Sequence, residues 1–236
     1  MRILVTICAR KGSKRVKNKN MRNLMGKPLI AHTIETAKKW GKADRIIVST
    51  DSEELAKISK EYGADVPFMR PDELASDTAP KLPVIQHVVK YLKEEEDEEF
   101  DLVVDLDPTS PLRIVEDLEN AYNVMVEKDA VNLFSVCPAR KNPYFNMVEL
   151  DSKGYAHLSK KLENPVFRMQ DTPLVYEMNA SIYMYWTKHL LHMDSVINEG
   201  SIIYEMPDER SIDIDSEVDF KMVEFFISRK NNLSKI

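Results

Sequence analysis

A short β-branched apolar run, then a polar loop, then a segment of helical spacing: this alternation recurs along the first 136 residues and limits the architectures open to the chain. Runs at 3–8, 45–49, 102–106 and 131–136 read as buried strands. Helical spacing marks 29–37, where Pro28 opens and Gly41 stops the pattern, and 52–62, which Ser52 could cap and Gly63 would end. It returns at 82–93 and 114–126, with the acidic run EEEDEE between them as a solvated helix end or turn. Repeated βα units need crossover connections, so the expected class is α/β, with a mostly parallel central sheet and helices on both faces. Between 138 and 176 the rhythm breaks into Asn-Pro pairs, a Lys-Gly turn and aromatics, which predicts an excursion from the sheet. Strands at 180–186 and 201–206 and a helix at 217–228 follow, then a tail, KNNLSKI, expected to fray.

A chain of 236 residues with 43% hydrophobic content can bury one core, so a single domain over 1–236 is expected, with 138–176 as its small appendage. The formal net charge of −6 gives no long-range attraction to nucleic acid or anionic lipid. No apolar run approaches the roughly 20 residues that span a bilayer, and the N-terminal segment turns polar too quickly for a signal peptide, so a cytoplasmic protein is expected. Cys8 and Cys137 lie in apolar strand-like runs and read as small buried hydrophobes. The five histidines show no metal-ligand spacing, and no Ser, His, Asp nucleophile motif is present.

Three segments carry chemistry. The loop after the first strand, ARKGSKRVKNKN, combines Gly12 with Arg10, Lys11, Lys14, Lys17 and Lys19, as a polyphosphate requires. It is neither a Walker A sequence nor a dinucleotide-binding glycine triplet, and alone it could be a basic surface loop. In an open α/β sheet ligands collect at the carboxyl ends of the strands, so the loop after residue 106 should converge on the same crevice. That loop brings Asp107, Thr109, Ser110 and Arg113, a set suited to a carboxylated, hydroxylated substrate. The competing reading is a Pro-rigidified turn in which Thr109 or Ser110 caps the next helix. Lastly, Asp213 and Asp215 stand two apart on an extended segment, on one face, where they could hold Mg²⁺. Alternatively one of them caps the final helix, in competition with Ser216.

With ICARKGSK, KNKN, ELASDTA, DLDPTSPLR, NASIYMY and DIDSEVDF in this order, the chain resembles the acylneuraminate cytidylyltransferases over nearly its whole length. CPARKNPYFNMVE, APKLPV and DIDSEVDFKMVEF bring it nearest the branch that makes CMP-N,N′-diacetyllegionaminic acid. The resemblance implies a Rossmann-like nucleotide-diphospho-sugar transferase fold and transfer of CMP from CTP to an acidic nine-carbon sugar, with Mg²⁺. It further implies that Arg10 and Lys19 hold the triphosphate with Gly12 and Ser13, that Asn20, Arg70 and Ser76 place the cytidine, and that Asp107, Thr109 and Ser110 bind the sugar acid. Arg168 would match a basic position near the reacting groups, and Asp213 and Asp215 the metal aspartates. The excursion would serve a homodimer in which each subunit lends residues to its neighbour's site.

Two departures separate the chain from the sialic acid enzymes: Asp107 stands where they usually carry Gln, and Tyr176, Glu177, Met178, Asn179 and Ala180 replace an FRPNGA-like segment. Both point toward a legionaminate-like sugar. A CMP-N-acetylneuraminate synthetase, a CMP-Kdo synthetase and, more remotely, a non-catalytic nucleotide-binding protein are the rivals; retention of Arg10, Lys19, Asp213 and Asp215 argues against the last.

Overall fold

The computed structural model describes residues 1–13, 15–76, 78–164 and 166–233. Lys14 of the basic loop and the end of the tail expected to fray lie outside the described residues.

Strand β1 (Ile3–Cys8) is followed by a hairpin of β2 (Asn23–Leu24) and β3 (Lys27–Pro28), helix α1 (Leu29–Trp40), β4 (Arg45–Ser49) and α2 (Glu53–Glu61). Gly41, at φ 71°, closes α1 in the left-handed conformation that a glycine adopts freely. The Ser52 hydroxyl accepts the Leu55 N–H to cap α2. Helix α3 (Lys81–Glu96), β5 (Leu102–Leu106), α4 (Val115–Lys128) and β6 (Asn132–Pro138) come next. A small hairpin, β7 (Val148–Leu150) with β8 (Ala156–Leu158), stands outside the main sheet. Strand β9 (Tyr176–Trp186), the short α5 (Thr187–Leu190), β10 (Ser201–Glu205) and α6 (Glu217–Leu233) complete the order.

The main sheet runs β10-β6-β9-β5-β1-β4. β9 is antiparallel to both its neighbours, and the other strand pairs are parallel. The expected mostly parallel sheet is therefore present, with one reversed strand at its centre. Period-two alternation divides the core. Ile3, Val5 and Ile7 of β1 and Leu102, Val104 and Leu106 of β5 meet α1, α2 and α4 on one face. Leu4 and Val103 meet α3 and α5 on the other.

A third, smaller cluster matters most to the site. Val16 from the basic loop and Leu24 and Leu29 beside it pack against Ile214, Phe220 and Val223, all essentially inaccessible. Burial of these side chains, each worth about 1.5–3 kcal/mol, joins the basic loop to the segment carrying Asp213 and Asp215.

Candidate active site

At the carboxyl ends of β1 and β5 the loops enclose a cleft of about 460 Å³, lined by Cys8, Arg10, Gly12, Ser13, Arg15, Lys19, Asn20, Asp107, Pro108, Thr109 and Asp215. The basic loop is tied at both ends. Ala9 N–H donates to the Ser49 carbonyl at 3.0 Å and Lys11 N–H to Asp51 Oδ1 at 2.7 Å. Asn20 Nδ2 donates to the Arg10 carbonyl at 3.2 Å, and its buried Oδ1 has no hydrogen-bond partner. Arg10 donates to the Ser76 carbonyl at 2.9 Å, which draws the ELAS segment to the rim. A Cβ on Gly12 would meet nothing within 4 Å, so the missing side chain leaves open cleft. Lys11 and Lys17 are exposed and lie outside the lining.

Across the cleft, Lys19 Nζ donates to the Ile214 carbonyl at 2.6 Å and lies 3.5 Å from Asp215, which Arg15 also approaches at 3.5 Å. The extended segment alternates as expected: Ile214 points into the core, while Asp213 is half-buried and Asp215 exposed. Ile214 N–H donates to the Thr109 carbonyl at 2.9 Å, and Arg210 clasps the fully buried Asp117 of α4 at 2.8 and 2.9 Å. Neither aspartate caps α6. Ser216 and Asp219 do so reciprocally, Asp219 N–H donating to Ser216 Oγ and Ser216 N–H to Asp219 Oδ2.

Asp213 is the strained member. Burial, then the nearby charges of Asp107 and Asp215, push its carboxyl up from the usual 3.8 to about 6, although Thr109 and Lys19 oppose the shift. Its Oδ1 is buried without a hydrogen-bond partner. An orphaned carboxylate oxygen that feels the charges of two further carboxylates fits a hard divalent cation. Among the described residues no three of His, Cys, Asp and Glu gather closely enough to ligate an ion by themselves. An ion here would therefore draw on substrate phosphates and water, as Mg²⁺ does.

The loop after β5 is organised by groups that sequence reasoning did not identify. Lys81, the first residue of α3, lies 2.9 Å from Asp105 Oδ2 and 3.1 Å from Asp107 Oδ2, with its ammonium 4.4 Å above the Tyr183 ring. Asp105 is fully buried and accepts Thr6 Oγ1 at 2.8 Å. Asp107 Oδ1 accepts both the N–H and the hydroxyl of Thr109. Burial alone would raise the Asp107 carboxyl, but Lys81 and Thr109 outweigh it and hold the group below its usual range. The sequence signals were an acid inside the apolar run LVVDL and a lysine opening an otherwise apolar helical turn.

Arg113 is not the substrate ligand that its residue type suggests. Its guanidinium is 3% exposed and donates to the carbonyls of Asp107 and Ser181, to Ser181 Oγ and to Thr33 Oγ1. It braces the loop from behind, so it is spent on scaffold rather than on a substrate carboxylate. Ser110 is likewise fully buried, donating to the Asn179 carbonyl at 3.1 Å. Neither it nor Thr109 caps α4, whose first turn is closed by Ile114 N–H donating to Asp117. Arg70 is 7% exposed, bonded to the hydroxyl and carbonyl of Ser49 at the end of β4, and Ser76 Oγ lies 3.4 Å from Thr78 Oγ1. Arg168 sits outside the cleft lining, two-thirds exposed and paired with Asp171 at 2.8 Å. Cys8 faces Asp105 at 3.5 Å, and burial, reinforced by that carboxylate, pushes its thiol up, which fits the inert role expected of it.

Residues 4–226 match the protein family described as Cytidylyltransferase. The chain is 43% identical over 229 residues to the CMP-N,N′-diacetyllegionaminic acid synthase of Campylobacter jejuni, covering 97% of this chain and 96% of that one. It is 42% identical over 233 residues to the post-translational flagellin modification protein B of Campylobacter coli, covering 99% and 98%. An N-acylneuraminate cytidylyltransferase of Escherichia coli is 34% identical over 235 residues, 100% of this chain and 54% of that one. Among solved structures, CMP:2-keto-3-deoxy-manno-octonic acid synthetase complexed with CTP superposes with a TM-score of 0.71 at 17% identity, covering 98% of this chain and 100% of that one, a likeness of fold.

Proposed function

The chain belongs to the cytidylyltransferase family, and on that premise we propose that it couples CMP from CTP to an acidic nine-carbon sugar of the legionaminic acid type, releasing pyrophosphate. The observation that carries this reading is the meeting of Lys19 and Asp215, 3.5 Å apart, across a cleft whose floor is the basic loop. Cations and a carboxylate paired on the wall of an open cleft suit a substrate with many phosphate oxygens. The near full-length likeness to the legionaminic acid enzyme supports the choice of sugar.

In this mechanism Arg10 and Lys19 grip the triphosphate, and Gly12 and Ser13 lend close backbone and hydroxyl donors. Asn20, Arg70 and Ser76 form the cytidine end, and Asp107 and Thr109 the sugar end, with the buried Ser110 tying their loop to the Asn179 carbonyl from behind. Asp213 and Asp215 are the residues that would hold Mg²⁺, which when bound supplies neutralisation of the phosphate charge. Lys19 and Arg10 stabilise the charge that grows on the departing pyrophosphate as the sugar hydroxyl attacks the α-phosphate in line. Positioning and electrostatics account for the rate, and no side chain is assigned as general base.

We further propose a homodimer built on the excursion 138–176. Val148, Leu150, Tyr155, Phe167 and Leu174 are each at least 62% exposed there, an apolar surface that a second copy would cover. Such a pairing gives Arg168 a route to the neighbour's site.

Pyrophosphate release from CTP and Mg²⁺ with N,N′-diacetyllegionaminic acid, N-acetylneuraminic acid and Kdo tests the reading. Selective turnover of the first is expected; preference for either of the others refutes the choice of sugar, and silence with all three refutes the activity.

A further inference from the structure

The cleft sets an electrostatic problem that its lining does not solve. A substrate bearing phosphates and a carboxylate must settle beside Asp107, a carboxylate held below its usual range and therefore charged. A bare aspartate there would repel both anionic groups. The compensating charge comes from behind the loop. Lys81 reaches Asp107 at 3.1 Å from the first turn of α3, and the same ammonium reaches Asp105 at 2.9 Å in the strand beneath. Asp105 is fully inaccessible and is fixed by Thr6, so it serves as an immobile anchor for the cation. The Tyr183 ring, 4.4 Å away, limits the ammonium from another side.

We infer that Lys81 is a positioning residue for the sugar acid: pinned between Asp105 and Asp107, it converts Asp107 from a repelling charge into a compensated acceptor for a hydroxyl or amide N–H of the sugar. The inference rests on the proposed reaction and deepens it. Oδ2 of Asp107 is taken by Lys81 and Oδ1 already receives two bonds from Thr109. The carboxylate is therefore fixed in orientation, and what it has left to offer the cleft is acceptor capacity for a donor group. It cannot receive a carboxylate, so the acid group of the sugar must lie elsewhere in the cleft. The arrangement ties sugar choice to a lysine that makes no direct contact with the cleft.

Removing Lys81 alone would leave Asp105 buried and unpaired, which endangers the fold. The test therefore uses Lys81→Met with Asp105→Asn, which leaves the summed charge of the three groups unchanged but strips from Asp107 the ammonium bonded to its Oδ2, and a triple variant that adds Asp107→Asn. Circular dichroism and thermal melts confirm folding of each. In the double variant the KM for the preferred sugar acid is expected to rise by about tenfold or more, while the KM for CTP changes by less than about threefold. In the triple variant, where the repelling charge is gone, the sugar KM should recover most of the loss. A folded double variant with an unchanged sugar KM, or a triple variant as impaired as the double, overturns the inference while the wild-type activity stands. A wild-type protein that turns over none of the three acids overturns the proposed reaction, and the inference with it.

Discussion

Asp213 carries its charge at a cost to the folded state. With its carboxyl raised from 3.8 to about 6, the folded state binds the proton more tightly than the unfolded chain does. The stability contributed by the protonated form is complete below pH 3.8 and is lost as the pH rises through about 6. The interval corresponds to about 1–3 kcal/mol once partial exposure is allowed for. Asp213→Asn should therefore unfold at higher urea than the wild type at pH 7, with the gap closing at pH 4, while turnover falls by about a hundredfold or more. Equal midpoints at pH 7 would show that the carboxylate is not strained. At this scale the sequence was legible where residues act locally, as with Ser216 at the helix start and with Gly12 and Asp215, which line one cleft. It was not legible where a charge finds its partner across the fold. Lys81 and Asp105 are 24 positions apart, and an aspartate inside LVVDL looks like an interruption until the lysine above it is seen. Arg113 shows the converse, since its residue type suggested a ligand and its burial assigned it to the backbone.

Strands and helices follow their periodicities closely because each alternates its faces against the core. β1, β4 and β5 end where the apolar runs do. β9 is the exception: it begins at Tyr176, four residues before the apolar run, because its first part pairs with the end of β6 past a register shift between Phe134 and Val136. Ser135 bridges that irregularity, donating to Asn179 Oδ1 and accepting Ile182 N–H, while Ala180 takes a φ of 51°. No periodicity announces such a kink. The join between the basic loop and the 211–216 segment is also an element-scale property, since it rests on the third apolar cluster. Ile214→Ala should cost about 2–5 kcal/mol and loosen both sides of the cleft together. The expected signature is a raised KM for CTP accompanying the lower melting temperature. A variant that loses stability while keeping the wild-type KM for CTP would show the two sides to be positioned independently.

For the whole molecule, the decisive quantity is whether one copy suffices. Arg168 lies away from its own cleft, so the proposed dimer predicts that two inactive variants can repair each other. Mixing Lys19→Ala with Arg168→Ala under conditions of subunit exchange should restore about a quarter of wild-type activity, because half the dimers are mixed and each mixed dimer holds one intact site. No recovery, with exchange verified by mass, would confine Arg168 to its own subunit or to no role. The order of the sheet has a consequence for synthesis as well. β9 lies between β5 and β6, so the first three strands of the main sheet to be made, β1, β4 and β5, leave one edge of β5 bare, and β6 has no neighbour in this sheet when it emerges. On the ribosome the nascent chain must extend past Trp186 before its central hydrogen-bond ladder can zip. Until then it offers an unpaired apolar edge to any chaperone, or to any other unfinished copy, within reach.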